Sequence, residues 1–64
     1  MPRAISDFKH KHVQGLYSYT HYEADDGAFV QVHARGDEFV YQRANGARVT
    51  VYSLDALKAE LIKD

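Results

Sequence analysis

The chain has 64 residues, with eight Lys and Arg, nine Asp and Glu, no Cys and a formal net charge of −1. We expect a single domain over residues 1–64, because a chain this short buries only about 60% of its unfolded surface. The lack of Cys excludes disulfides and cysteine-ligated zinc, and the near-neutral charge gives no overall field to attract nucleic acid or an acidic membrane. No apolar run is long enough to span a bilayer or resembles a secretion segment, so we expect a cytoplasmic protein that does not bind membranes.

The first fifteen residues have a local excess of positive charge, with three basic residues against one Asp. Two structures are open for residues 1–12: a partly flexible basic arm, or a short strand or turn that leads into a sheet. We favour the second, because Phe8, Val13 and Leu16 could anchor an extra edge strand.

Glycine-containing turn signals divide residues 16–52 into four predicted strands. The turns recur about every ten residues, which is the spacing of a β-meander. The turns are Asp25-Asp26-Gly27, Arg35-Gly36 and Asn45-Gly46. The segments between them are rich in Tyr, Val, Phe and Thr, which favour a pleated, half-buried surface. These segments are 16–24, 28–34, 38–44 and 47–52.

Turn chemistry also predicts how the strands pair. Asn45-Gly46 favours a two-residue type I′ turn, because both residue types accept a positive φ. That turn places Val40 opposite Val51. The two earlier turns favour three-residue loops closed by Gly27 and Gly36. With these registers one face collects the valines, which are Val30, Val32, Val40, Val49 and Val51.

One helix is predicted over residues 53–63. Ser53 is its predicted N-cap, because its hydroxyl can accept from a free amide of the first turn. Leucines and an isoleucine then recur at helical spacing, and this apolar stripe should cover the valine face. The stripe is Leu54, Leu57, Leu61 and Ile62. The predicted fold is therefore α+β in two layers: an antiparallel β-meander of about four strands with one C-terminal α-helix packed on one face.

The opposite face of the predicted sheet carries aromatic and arginine side chains, and no second helix is available to cover it. An exposed apolar patch usually marks an interaction site, and Tyr and Arg are enriched at protein interfaces. Alternatively, sheet twist and the N-terminal arm cover these rings. The predicted partner-binding residues are Tyr17, Tyr19, Phe29, His33, Phe39, Tyr41, Arg43, Arg48 and Tyr52.

These features predict a non-enzymatic protein-binding module. It would form a homodimer, or dock on a larger protein as a small inhibitor or adaptor. The alternative is a small single-stranded nucleic-acid-binding protein that stacks bases on the same rings and contacts phosphates through basic residues. We favour protein, because neutralisation of phosphates dominates nucleic-acid affinity and this chain is slightly acidic. The candidate phosphate contacts are Lys9, Lys11, Arg43 and Arg48.

Metal binding and catalysis receive little support from the sequence. His10-Lys11-His12 would point two imidazoles the same way in an extended segment, but a transition metal needs further ligands and no second motif supplies them. We therefore expect no metal or cofactor. No Gly-rich elbow surrounds a serine, and a one-layer sheet offers no deep pocket around His21 and His33. We therefore expect no enzymatic activity.

Overall fold

A computed structural model describes residues 2–63 as a five-stranded antiparallel sheet with one helix packed on it. The strands are β1 (Lys9–His10), β2 (Tyr19–Glu23), β3 (Phe29–His33), β4 (Phe39–Gln42) and β5 (Arg48–Val51), and they lie side by side in chain order. A 3-10 turn at Ile5–Asp7 precedes them, and helix α1 spans Leu54–Ile62. The predicted α+β meander is confirmed, with β1 as a fifth strand. Within residues 2–63, no helix is long and apolar enough to cross a membrane.

The N-terminal segment forms the short strand and turn that we favoured. β1 pairs with β2, and the preceding residue, Phe8, is buried. The ring of Phe8 meets the ring of Tyr41 edge to face, with 6.1 Å between centroids. The amide of Arg3 donates to the carbonyl of Leu61 at 3.0 Å, which ties this segment to α1.

The hairpin between β2 and β3 has the predicted register. The amide of Ala24 donates to the carbonyl of Ala28 at 2.8 Å, which leaves a three-residue loop. Gly27 closes this loop with a φ of +92°. Tyr22 therefore lies opposite Val30, on the side of the sheet that was predicted to face the helix.

The hairpin between β4 and β5 differs from the prediction by one residue. The amide of Gly46 donates to the carbonyl of Arg43 at 2.9 Å, and the amide of Arg43 donates to the carbonyl of Ala47 at 2.7 Å. The loop thus has three residues and ends in a glycine bulge, with φ +94° at Gly46. Val40 lies opposite Thr50 as a result, and the predicted two-residue turn is wrong.

The hairpin between β3 and β4 also differs from the prediction by one residue. The amide of His33 donates to the carbonyl of Glu38 at 2.9 Å, so the loop holds residues 34–37. The predicted three-residue loop is therefore wrong here, and Val30 lies opposite Tyr41.

Because of these two differences, the side chains of β4 lie on the faces opposite to those predicted. The side chains of β2, β3 and β5 lie on their predicted faces. Phe39 and Tyr41 point toward α1 and are buried, and Val40 lies on the other face, opposite Gln31. Arg43 also lies on the helix side, where its Nη2 is 3.2 Å from Oε1 of Glu60. The prediction that Phe39, Tyr41 and Arg43 lie on the uncovered face is wrong. The physical reason is that burying two aromatic rings removes more apolar area from water than burying one valine.

The core lies between α1 and one face of the sheet. Its buried members are Phe8, Ala24, Ala28, Val30, Phe39, Tyr41, Leu57 and Leu61. The Ser53 hydroxyl accepts from the amide of Ala56 at 3.1 Å, which confirms the predicted N-cap. Leu54 and Ile62 are exposed, so only half of the predicted apolar stripe reaches the core.

Candidate interaction surface

The sheet face opposite α1, which we call the open face, is covered by no helix of residues 2–63. Its side chains come from alternate positions of the strands and form three rows across the sheet. The rows are Tyr19, His33, Glu38 and Tyr52; His21, Gln31, Val40 and Thr50; and Glu23, Phe29, Gln42 and Arg48. Tyr52 lies in a bend one residue after β5, and its electrostatic effect in raising the pKa of Tyr19 places it beside the first row.

The open face brings together five of the nine predicted partner-binding residues. These are Tyr19, Phe29, His33, Arg48 and Tyr52. Tyr17 lies outside the sheet, because β2 begins at Tyr19 rather than at residue 16, and its side chain is 90% exposed. The remaining three residues belong to the helix side. Sequence reasoning missed Val40 and Gln42 on this face, because only the correct register of β4 reveals them.

Side-chain contacts fix the first row. The Tyr19 hydroxyl donates to Oε2 of Glu38 at 2.7 Å, and this hydrogen bond raises the pKa of Tyr19 above its ordinary value of 10.0. The rings of Tyr19 and His33 meet edge to face at 5.0 Å. Nδ1 of His33 accepts from the amide of Arg35 at 3.1 Å. At the end of the row, Tyr52 is 72% exposed, which leaves its ring available to another molecule.

His21 is held at both ring nitrogens and is only 8% exposed, although it lies on the open face. Nδ1 is 3.3 Å from the amide nitrogen of Gln31, and Nε2 is 3.2 Å from Oε1 of Glu23. Because the Gln31 amide nitrogen can only donate, Nδ1 accepts and Nε2 donates to Glu23. This bond lowers the pKa of Glu23, and Lys11 lowers it further. The His21 ring also packs beside the Phe29 ring, with 5.0 Å between centroids. In this arrangement both ring nitrogens of His21 are engaged, and the ring holds Gln31 and Glu23 in place.

Arg48 joins the third row into one surface. Its Nε and Nη2 donate to Oε1 of Gln42 at 3.0 and 2.6 Å. Its guanidinium carbon lies 5.9 Å from the centre of the Phe29 ring, within range of a cation–π contact.

A second surface surrounds an apolar cavity on the helix side. The cavity has a volume of about 280 Å³ between α1 and the sheet, and Tyr22 is the one lining residue with a polar side-chain atom. Ile5 and Leu54 form part of its lining and are exposed, and Ile62 lies nearby on the helix. A lining with so little polar character can receive an apolar group but gives it little orientation.

All three residues of the His10-Lys11-His12 motif are exposed. The His10 ring lies 5.7 Å from the Tyr22 ring, and His12 is exposed after β1. Over residues 2–63, no three His, Asp or Glu side chains are grouped so that they could hold a metal ion.

Geometry defines the chain as a small α+β meander domain with one covered and one open sheet face. Comparison with family models, curated proteins and solved structures found no match. The open face combines fixed aromatic rings, imidazoles and an arginine, which can supply stacking, hydrogen bonds and cation–π contacts to another macromolecule.

Proposed function

We propose that this chain is a non-enzymatic protein-binding module that docks on its partner through the open face. The observation that carries the proposal is the gathering of Tyr19, Phe29, His33, Arg48 and Tyr52 on the sheet face that α1 leaves uncovered. Tyr and Arg supply much of the binding energy at protein interfaces. Lysines are depleted in such interfaces, and the nearest lysines here lie at the margin of the face, on and after β1.

The open face is also organised before a partner arrives. Glu38 holds the Tyr19 hydroxyl, and Gln42 holds the Arg48 guanidinium. Each long side chain that binding must immobilise costs about 0.5–1.5 kcal/mol, so side chains that are already restrained lose less. This restraint supports docking on a folded protein surface.

The charges on the two sides of the sheet favour a protein as the partner over a single-stranded nucleic acid. Of the four candidate phosphate contacts, Arg43 lies on the helix side beside Glu60, and Lys11 lies 3.4 Å from a carboxylate oxygen of Glu23. Glu23 and Glu38 both lie on the open face, where they would repel phosphates.

The test compares two matched double variants, each of which is used to capture partner proteins by chemical cross-linking. Tyr19→Ala/Phe29→Ala removes two rings from the open face, and Leu54→Ser/Ile62→Ser removes two exposed apolar groups from the helix side. Circular dichroism establishes that each variant is folded, with Tyr19→Ala alone as a milder replacement. We expect wild type and the helix-side variant to capture the same protein, and the open-face variant to lose it.

The captured protein is then purified and titrated by calorimetry. We expect its dissociation constant to weaken about tenfold or more for the open-face variant, and to change little between about 50 and about 200 mM salt. Unchanged affinity of the open-face variant contradicts the proposal. Capture of nucleic acid whose binding falls steeply over the same salt range also contradicts it.

A further inference from the structure

The outer edge of β5 carries backbone groups that point away from the sheet. β5 pairs with β4 on one side and is the last strand in the sheet order. The hydrogen bond from the amide of Arg43 to the carbonyl of Ala47 sets the alternation along this strand. The odd-numbered residues of β5 therefore face β4, and Arg48 and Thr50 direct their N–H and C=O groups outward.

The two edges of the sheet differ in how they resist further pairing. β1 is two residues long and contains Lys9, and Lys11 follows it; short length and lysines both discourage strand addition. β5 is twice as long, runs Arg-Val-Thr-Val and contains no Lys, Pro or bulge. Its β-branched residues favour pairing. Of the two edges, β5 is the one that is open to another strand.

The side chains of β5 complement a second copy of themselves. In an antiparallel pair related by a two-fold axis at Thr50, Arg48 of each copy would lie opposite Tyr52 of the other, provided that the pairing extends one residue beyond β5. A guanidinium beside an exposed ring forms a favourable cation–π pair. Arg stacks through its planar face, so its N–H bonds to Gln42 need not break. On the helix side, Val49 of each copy lies opposite Val51 of the other.

We propose that this chain forms a homodimer in which β5 pairs antiparallel with β5 of a second copy, in the register centred on Thr50. A register centred on Arg48 would instead place two like charges opposite each other, which is unfavourable. The dimer would contain a continuous ten-stranded sheet with two open faces side by side. This inference goes beyond the proposed function, because it concerns the edge of the sheet. Arg48 and Tyr52 lie beside that edge, and Tyr19, Phe29 and His33 stay available to the open-face partner.

The expected affinity is modest. A strand pair of about five residues buries less area than the roughly 1,200–2,000 Å² of a standard interface. We therefore expect a dissociation constant of about 1–100 μM, and sedimentation equilibrium from about 1 μM to about 1 mM covers this range. Amide exchange measured by NMR should show protection at Thr50 that increases with protein concentration.

Three variants test the register. Thr50→Pro removes an N–H that points away from β4, and an edge strand tolerates proline at such a position. This variant should weaken dimerisation about tenfold or more, because the missing N–H would bond to the second copy. Tyr52→Arg places Arg opposite Arg and should weaken it similarly. The double variant Arg48→Tyr/Tyr52→Arg restores an Arg–Tyr pair across the axis and should recover most of the wild-type affinity. Circular dichroism at low concentration verifies the fold of each monomer, and if Thr50→Pro is unfolded the two Tyr52→Arg variants decide the question.

The proposal is wrong if the wild type is a monomer at every concentration, or if Thr50→Pro is folded and dimerises like the wild type. It is also wrong if the double variant dimerises no more tightly than Tyr52→Arg. Tyr19→Ala/Phe29→Ala separates this inference from the proposed function. That variant should dimerise normally while losing the open-face partner, so a failure of the dimer and a failure of the proposed function give different results.

Discussion

Val30 on β3 lies directly opposite Tyr41 on β4, and both side chains are buried beneath α1. The Phe8 ring meets the Tyr41 ring edge to face, and the Arg43 guanidinium lies 5.0 Å from the centre of the Tyr41 ring. We expect Tyr41→Ala to lower the free energy of unfolding by about 3–5 kcal/mol, because it leaves a large cavity in the core. A domain this small has about that much stability in total, so the variant should be largely unfolded by circular dichroism.

Tyr52→Ala is the matched control for this prediction. Tyr52 is 72% exposed, so its removal should change the free energy of unfolding by no more than about 0.5 kcal/mol. Urea denaturation of both variants measures the difference. Similar losses for the two tyrosines would contradict the orientation of β4.

Features that repeat along the sequence predicted the fold class. Regularly spaced glycine turns, alternating β-branched and aromatic residues and the Ser53 cap each specify local structure without reference to distant residues. The three-residue loop closed by a glycine also predicted the register of the hairpin at Gly27, although the same rule is wrong for the loop that contains Gly36. As a result, Tyr19, Phe29 and His33 were placed on the correct face.

The orientation of β4 could not be predicted from the sequence. Phe39, Val40 and Tyr41 are apolar at consecutive positions, so the pattern does not indicate which side faces the core. The loops before and after this strand each differ from the prediction by one residue, and a shift of one residue moves every side chain to the other face. The choice depends on packing against Phe8 and α1, which are distant in sequence.

The loop between β4 and β5 depends on the backbone of Gly46. Its φ is +94°, and a Cβ at this position would meet nothing within 4 Å. Gly46→Ala should therefore destabilise the fold by about 1–2 kcal/mol through backbone conformation alone. Gly46→Asn should cost less, because Asn tolerates this conformation better. Urea denaturation measures the free energy of unfolding of both variants. An unchanged free energy of unfolding for Gly46→Ala would contradict the glycine bulge.

Acid should destabilise the fold through three carboxylates. The pKa values of Glu23 and Glu60 lie below their ordinary 4.5, and that of Asp26 lies below 3.8. Hydrogen bonds cause these shifts: for Glu60, first from Lys63 and then from Arg43. A lowered pKa in the folded state gives stability above the unfolded pKa that is lost as the pH falls through the folded pKa.

The melting temperature should therefore fall as the pH drops below about 4.5. Glu60→Gln should melt below wild type at neutral pH, and the two curves should converge in acid. The measurement is a series of thermal melts followed by circular dichroism. A difference in melting temperature that stays constant down to acid pH would show that the charge on Glu60 does not contribute to stability.

The hydrogen bond between Tyr19 and Glu38 gives a direct test of order on the open face. This bond raises the pKa of Tyr19, because loss of the phenolic proton would break it and place two negative charges together. Glu38→Gln keeps an acceptor but removes the charge, so the pKa of Tyr19 should fall toward 10.0. NMR titration of the Tyr19 ring measures this change. Glu23→Gln is the control, because Glu23 lies on the same face but contacts His21 and Lys11 instead. If Glu38→Gln leaves the titration of Tyr19 unmoved, the hydrogen bond is absent in solution, and the restraint that supports docking through this face is absent with it.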